Sequence, residues 1–293
     1  MKLLSWRMFK FFSDESYLKL KYFVYFKKKL NLNNPKSFNE KLQWLKLYDR
    51  NPLYVTMVDK YDVKKYVENK IGKEYIIPTI GIYKKINEIN FNKLPNKFVI
   101  KCTHDCGSTV IVKNKNKIDY DEIKRKIENK LKVNYYYSGR EWPYKNVKPR
   151  IIVEKYMEDK KENEIKDYKF FCFNGEPKIM YVSDNSHTNN QHSCFFNMNY
   201  KKINIKRKDY QEFKETPKKP IKFEKMINLS RILYNGIPHV RVDWYEINGK
   251  LYFGELTLYT CSGFIPFENE EWDYKIGEML KLPEKKMSDN NEK

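Results

Sequence analysis

Apolar residues recur at helical spacing through the first fifty positions. Leu18, Tyr22, Tyr25 and Phe26 form one set and Leu42, Trp44 and Leu45 a second, which predicts helices within 13–50. Ser37 stands three residues before Glu40, the spacing of a capping box opening the second helix. A third amphipathic helix is predicted over 58–69, with Asp59 and Lys60 in its first turns. The period then shortens. Runs at 75–77 (stopped by Pro78) and 80–83 read as strands, as do 97–101 and 110–112, which flank a turn at 104–109. A helix over 121–133 and a strand over 150–153 follow, the strand leading into Glu154-Lys155-Tyr156-Met157. Two hairpins are predicted, 167–173 with 177–182 around Asn174-Gly175 and 240–245 with 250–258 around Asn248-Gly249. Helices at 223–235 and 272–280 and a polar, loose tail complete a chain that reads as α+β with mostly antiparallel sheets and no internal repeat.

With 293 residues, the chain can build one large domain or a few subdomains. Its hydrophobic and charged fractions, 41% and 33%, are those of a folded protein rather than a disordered one. The formal charge of +20 opens the question of a polyanionic partner. The lysines, however, are spread along the chain and rise together with Asn, Ile and Tyr, as in a biased source proteome, so no nucleic acid is expected. The five cysteines, at 102, 106, 172, 194 and 261, are odd in number and match no zinc spacing, which points to free thiols in a reducing compartment. No stretch approaches the ~20 apolar residues of a membrane span, and a cytoplasmic protein is expected. The basic, aromatic residues 2–12 suit a surface-seeking helix and peripheral membrane association.

Candidate chemistry lies in three places. Lys101 ends a strand beside a turn holding Gly107, Ser108 and Thr109, which can set an ammonium and backbone N–H groups around a phosphate chain. Neither Walker spacing nor G-x-G-x-x-G is present, and a plain hairpin turn with a surface lysine fits the same residues. In the last hairpin Arg241 shares a face with Asp243, and Glu255 with Thr257; pairing the strands brings two carboxylates together. Mg²⁺ would resolve their repulsion, and so would a solvent-facing Arg–Glu pair. Glu154 to Met157 is the third place. His187, His192 and Cys194 read as an incidental group in a loop, and the Cys102–His104–Cys106 turn as no thiol catalyst. Asp119-Tyr120-Asp121 reads as a helix cap more than as the metal motif of a glycosyltransferase.

The order of these features resembles the ATP-grasp superfamily: lysine-ended strand with Gly loop, Glu-Lys hinge, then Arg-x-Asp with Glu-x-Thr. Residues 36–49 (KSFNEKLQWLKLYD), 59–67 (DKYDVKKYV), 254–264 (GELTLYTCSGF) and 270–283 (EEWDYKIGEMLKLP) resemble its teichuronopeptide-biosynthesis, TupA-like, branch. The resemblance implies an ATP-grasp fold: two α+β lobes over 51–283 (about 51–100 with 183–283, and 101–182) clasping ATP, after a helical extension at 1–50 and before a disordered tail at 284–293. It implies ATP and Mg²⁺ as cofactors. Lys60 and Lys101 would touch phosphates, with Gly107, Ser108 and Thr109 closing over them. Glu154, Lys155 and Met157 would meet the adenine, and Asp167 the ribose, with Lys169 near the phosphates. Asp243 and Glu255 would hold Mg²⁺, and Thr257, where the superfamily commonly has Asn, would be a weaker ligand. Arg241 would face the developing acyl phosphate. The implied activity is carboxylate–amine ligation of a small carboxylate, an amine or an acidic saccharide such as a uronic acid, in cell-surface polysaccharide biosynthesis. A glycosyltransferase and a non-catalytic polyanion binder are the alternatives.

Overall fold

The protein is described by a computed structural model over residues 10–160, 164–184, 191–234 and 236–285. Four helices lead: α1 (Asp14–Phe26), α2 (Phe38–Tyr48), α3 (Leu53–Val58) and α4 (Asp62–Ile71). The capping box at α2 is present in both directions, Ser37 Oγ accepting from Glu40 N–H and the Glu40 carboxylate from Ser37 N–H. The helix predicted over 58–69 is divided instead. Asp59 leaves helical geometry and its Oδ1 accepts from the N–H groups of Tyr61 (2.8 Å) and Asp62 (3.1 Å), a local bond that ends one helix and starts the next. The expected strand at 75–77 is also absent: Lys73–Tyr75 is a 3-10 turn entered through Gly72 at φ 110°, and Tyr75 is buried.

The chain then builds a small sheet from β1 (Thr79–Tyr83), β2 (Phe98–Cys102), β3 (Val110–Val112) and β4 (Ile151–Lys155), in the antiparallel order β1-β4-β2-β3. Helix α5 (Tyr120–Leu131) covers one face by burying Ile123 and Ile127, four residues apart, against Phe98, Ile100 and Cys102. Its N-cap is Asp119, whose carboxylate accepts from Glu122 N–H at 2.9 Å, so this acidic pair is a cap. The alternate residues of β2 and β4, Val99, Lys101 and Glu154, turn to the other face.

After α6 (Tyr136–Gly139) and the crossing through β4, a large sheet follows. It comprises β5 (Asp167–Phe173), β6 (Glu176–Asp184), β7 (His192–Asn197), β8 (Lys202–Ile203), β9 (Gln211–Glu212), β10 (His239–Ile247) and β11 (Lys250–Thr257). The order is β11-β10-β5-β6-β7-β8, with β9 joining β7 in parallel. Both predicted hairpins form, and their turns need positive φ at Asn174 (47°), Gly175 (100°), Asn248 (51°) and Gly249 (73°). Helix α7 (Phe223–Tyr234) covers one face, where Trp244 donates to Ser230 Oγ at 2.9 Å and Phe170 meets Phe223 at 5.7 Å. On the opposite face Phe38 of α2 packs edge-on to Phe173 (5.6 Å) and His239 (5.1 Å). Burial lowers the His239 imidazole to about 3, so it is neutral, and its Nδ1 bonds Cys172 O at 2.9 Å. Helix α8 (Glu271–Met279) packs on α2, where Asp273 accepts from Asn39 N–H at 2.9 Å.

Two expected boundaries move. Residues 14–48 are not an appendage, because Tyr17, Leu18, Phe38, Leu42 and Leu45 belong to the same core as the large sheet. The lobe boundary expected at 100/101 would cut β2; β5, expected with β3 and β4, pairs with β10 instead, and β6 pairs with β5 and β7. The physical division is between two separate apolar clusters, one formed by the small sheet, α5 and the 86–94 segment and one by the large sheet with α1 to α4, α7 and α8. No helix among the described residues is long and apolar enough to cross a membrane.

Candidate active site

The connection from β4 to β5 joins the two sheets, and its first residues wall a cavity of about 420 Å³. Lys155, Tyr156, Met157 and Glu158 line one side; Ile247, Asn248, Lys250 and Tyr252 of the β10–β11 turn line the other. The turn is tied to the connection by three bonds. Asn248 N–H donates to Asp159 Oδ2 (2.5 Å), its amide to Glu158 O (3.0 Å), and Lys160 N–H to Asn248 Oδ1 (3.0 Å). Tyr156, Met157, Ile247 and Tyr252 bring apolar surface to this cavity, and Lys155, Lys160 and Lys250 bring positive charge.

The other end of the same hairpin carries the charges. Arg241 grips Asp243 with Nε to Oδ1 (2.7 Å) and Nη2 to Oδ2 (2.6 Å), and Nη2 also reaches Glu255 Oε1 at 2.7 Å. Lys169, paired across from Asp243, bonds Asp243 Oδ2 at 2.8 Å and Asp167 Oδ2 at 3.0 Å. Thr257 Oγ1 donates to Glu255 Oε1 at 3.0 Å. Burial by itself would raise the Asp243 carboxyl; Arg241 and Lys169 more than reverse that and hold it below the ordinary range. Asp243 is fully buried, whereas the Glu255 side chain is 48% exposed.

A β-bulge makes this meeting. Counting from the turn, Ile247 pairs with Lys250 and Trp244 with Phe253, so an uninterrupted ladder would set Glu255 opposite Val242, on the face under α7. The register instead slips by one between Val242 and Trp244; beyond it Val242 pairs with Leu256 and Arg241 with Thr257. Glu255 and Thr257 thereby join Arg241 and Asp243 on the face opposite α7. Gly254 permits the slip, since a Cβ there would sit 3.1 Å from Asp243 O and from the Tyr245 ring.

On the small sheet, Lys101 Nζ lies 2.5 Å from Glu154 Oε2, and Lys64 of α4 bonds the other oxygen. Burial works against the Glu154 carboxylate, but the two ammonium groups lower its pKa below the usual value. Glu154 therefore anchors two lysines in this structure. Lys60 donates to Asp105 O in the Gly loop, and its N–H to Thr103 O at 3.1 Å. Gly107 takes φ 87°, Ser108 Oγ turns inward to Asp105 Oδ1 (2.6 Å) and Cys102 N–H (2.8 Å), and Lys126 bonds Thr109 O at 2.9 Å. The Cys106 thiol stands exposed at the loop tip.

Several charged residues here escape the sequence reading. Lys64 ties α4 to the small sheet through Glu154, and Arg150, just before β4, ties the α3–α4 junction to it through Asp59 (2.7 Å) and Asp62 (2.8 Å). Arg207, nearly buried, stacks on Tyr210 (4.5 Å) and Tyr181 (5.8 Å), and Tyr181 is the partner of Lys169 on β6. Lys46 is wholly buried, donating to Gly139 O and Ser262 O at 2.7 Å each; burial lowers its pKa to about 7. No periodic or spacing signal marks these four: the partners given for Lys64, Arg150 and Lys46 are distant in sequence, and Arg207 with nearby Tyr210 lies in an irregular segment; only the polar lysine at position 46 on the buried side of a helical pattern was a hint. His192 pairs with Asp184 (2.9 Å) and Cys194 is buried, both on β7 rather than in the expected loop; His187 lies outside the described residues.

The TupA-like ATP-grasp family model matches residues 40–281, and the chain belongs to that family. Among solved structures it is similar to D-alanine–D-alanine ligase from Helicobacter pylori (15% identity, 84% of this chain and 70% of that one, TM-score 0.45). It is also similar to the Bacillus anthracis D-alanine–D-alanine ligase complexed with ATP (18%, 69% of this chain, TM-score 0.39) and spans 54% of that chain's length. A third is the ATP-grasp ligase PsnB complexed with a minimal precursor (8%, 75% and 60%, TM-score 0.40). No curated protein matches the sequence.

Proposed function

We propose that this chain is an ATP- and Mg²⁺-dependent carboxylate–amine ligase working through an acyl phosphate, with the small and large sheets as its two lobes. The observation that supports this best is the single hairpin with both ends of a nucleotide site. Its turn closes the hinge cavity, and its bulged end sets Arg241 on both Asp243 and Glu255 beside Lys169. Lys155 and Met157 would border the adenine and Asp167 the ribose. Lys101, Lys60 and Lys169 would neutralise phosphates, with Gly107 and Thr109 in the covering loop; the inward hydroxyl of Ser108 shapes that loop.

The hard oxygens of Asp243 and Glu255, with Thr257 beside them, suit Mg²⁺, which would offset phosphate charge when bound. Arg241 and Lys169 now offset the paired carboxylates and would stay to orient the reacting carboxylate against the transferred phosphoryl group. Attack by the carboxylate oxygen on that phosphorus releases ADP; attack by an amine on the acyl carbon then releases phosphate. The carboxylate we favour is a uronic or amino acid of a cell-surface polymer, which rests on the branch resemblance of residues 36–49, 254–264 and 270–283.

The test is isothermal titration with a non-hydrolysable ATP analogue, with and without Mg²⁺, followed by phosphate-release screening of uronic and amino acids. Mg-dependent binding that is lost in Glu255→Gln supports the site. Absence of binding by folded wild-type protein overturns it.

A further inference from the structure

Six of the thirteen large apolar side chains exposed among the described residues fall between Phe11 and Tyr25, too concentrated for the scattered hydrophobes of an ordinary surface. Helix α1 explains the pattern. Tyr17, Leu18 and Tyr22 face the core, and the next arc holds Leu20 (42% exposed), Phe23 (51%) and Val24 (40%), followed by Lys27 at the helix end. Positions 20, 23, 24 and 27 are the i, i+3, i+4, i+7 stripe of one helix face. Phe11, 94% exposed, stands just before the helix.

Lysines border this arc. Lys10, Lys19, Lys27, Lys28 and Lys29 are exposed around it. Lys19 pairs with Glu15 and Lys28 with Glu270, while Lys10, Lys27 and Lys29 have no carboxylate partner among the described residues. A protein–protein interface core is depleted of lysine. An apolar stripe with cations at its rim has the chemistry that meets the boundary between headgroups and acyl chains of an anionic bilayer.

We infer that the outer face of α1, with Phe11, docks this protein on an anionic membrane surface. The apolar side chains enter the acyl boundary and the lysines meet phosphate headgroups. The inference is independent of the nucleotide site, which lies on the sheets.

The test is co-sedimentation of the full chain with phosphatidylcholine vesicles, with and without phosphatidylglycerol. Wild-type protein should bind the anionic vesicles and bind neutral ones far more weakly. Phe23→Glu/Val24→Glu should lose roughly tenfold or more in affinity, since two half-exposed apolar side chains no longer enter the bilayer. Lys27→Glu and Lys29→Glu should each cost about fivefold or more, and this part should fade with added salt. Ile221→Glu/Ile232→Glu, with the same charge change at other exposed positions, should bind as wild type does. Equal losses in both double variants would show net charge alone at work and overturn the docking face. So would unchanged binding by Phe23→Glu/Val24→Glu, no preference for anionic vesicles, or self-association of a chain that ignores them. Circular dichroism melts of the variants, expected unchanged because the sites are exposed, separate docking from unfolding.

Discussion

Replacing Glu154 by Gln removes one charge from a buried triad and leaves Lys64 and Lys101 facing each other. The Glu154 side chain is 5% exposed, Lys64 14% and Lys101 22%, so water relieves little of the repulsion. Each ammonium–carboxylate contact is worth roughly 4 kcal/mol gross at an effective dielectric near 20. The variant also escapes the several kcal/mol needed to desolvate the carboxylate, and Lys101 can swing partly outward. Breaking a buried pair from one side costs about 3–5 kcal/mol, and the variant should lie near the lower figure. At about 2–4 °C per kcal/mol for a chain of this size class, the melt should fall by roughly 6–12 °C. Urea unfolding monitored by circular dichroism gives the free energy directly. Adding Lys64→Met should restore part of the loss, because one unpaired charge goes with it, and the coupling energy of the cycle measures the triad. The pH dependence has a defined sign. A carboxyl held below its unfolded value stabilises the fold above that value and loses this as pH falls through the folded pKa. Wild type should therefore lose stability on acidification that Glu154→Gln never had. Equal melts for wild type and variant at neutral pH, or a double variant less stable than Glu154→Gln, would refute the reasoning.

Other consequences are as direct. Gly254→Val should cost about 1–3 kcal/mol by crowding Asp243 O and the Tyr245 ring, and should weaken Mg-dependent nucleotide binding by slipping the bulge; titration calorimetry and thermal melts read both. Ser37→Ala should cost about 1 kcal/mol in urea unfolding, since the α2 cap loses its acceptor. Lys46 has a folded pKa of about 7 against 10.5 unfolded, so the unfolded chain binds more protons between those values. Stability should thus rise with pH from 8 to 10, and Lys46→Met should flatten that slope. Lys101→Met should abolish ATP-dependent phosphate release while remaining folded.

Local chemistry was legible wherever it acts within a few residues. The Ser37–Glu40 capping box, the two Asn-Gly hairpin turns and the Asp119 cap each depend on residues no more than about three apart in the chain, and the structure has all of them. The helix over 58–69 failed at the same scale, because a side-chain bond from Asp59 competed with the helix. Strands β7, β8 and β9 carried no strong alternation and were found only by the edges they complete.

From sequence alone, the α+β class, the hairpins and the identity of Lys101, Arg241, Asp243 and Glu255 as candidates were determined, since periodicity and residue chemistry are local properties. Which face each residue serves was decided by tertiary structure. Side chains alternate with period two, so a single-residue slip at Gly254 reverses the face of Glu255, and no sequence pattern registers that slip. The same holds for Glu154, whose partners Lys64 and Lys101 arrive from a helix and a strand many residues away. Burial set its role by requiring two cations around one carboxylate.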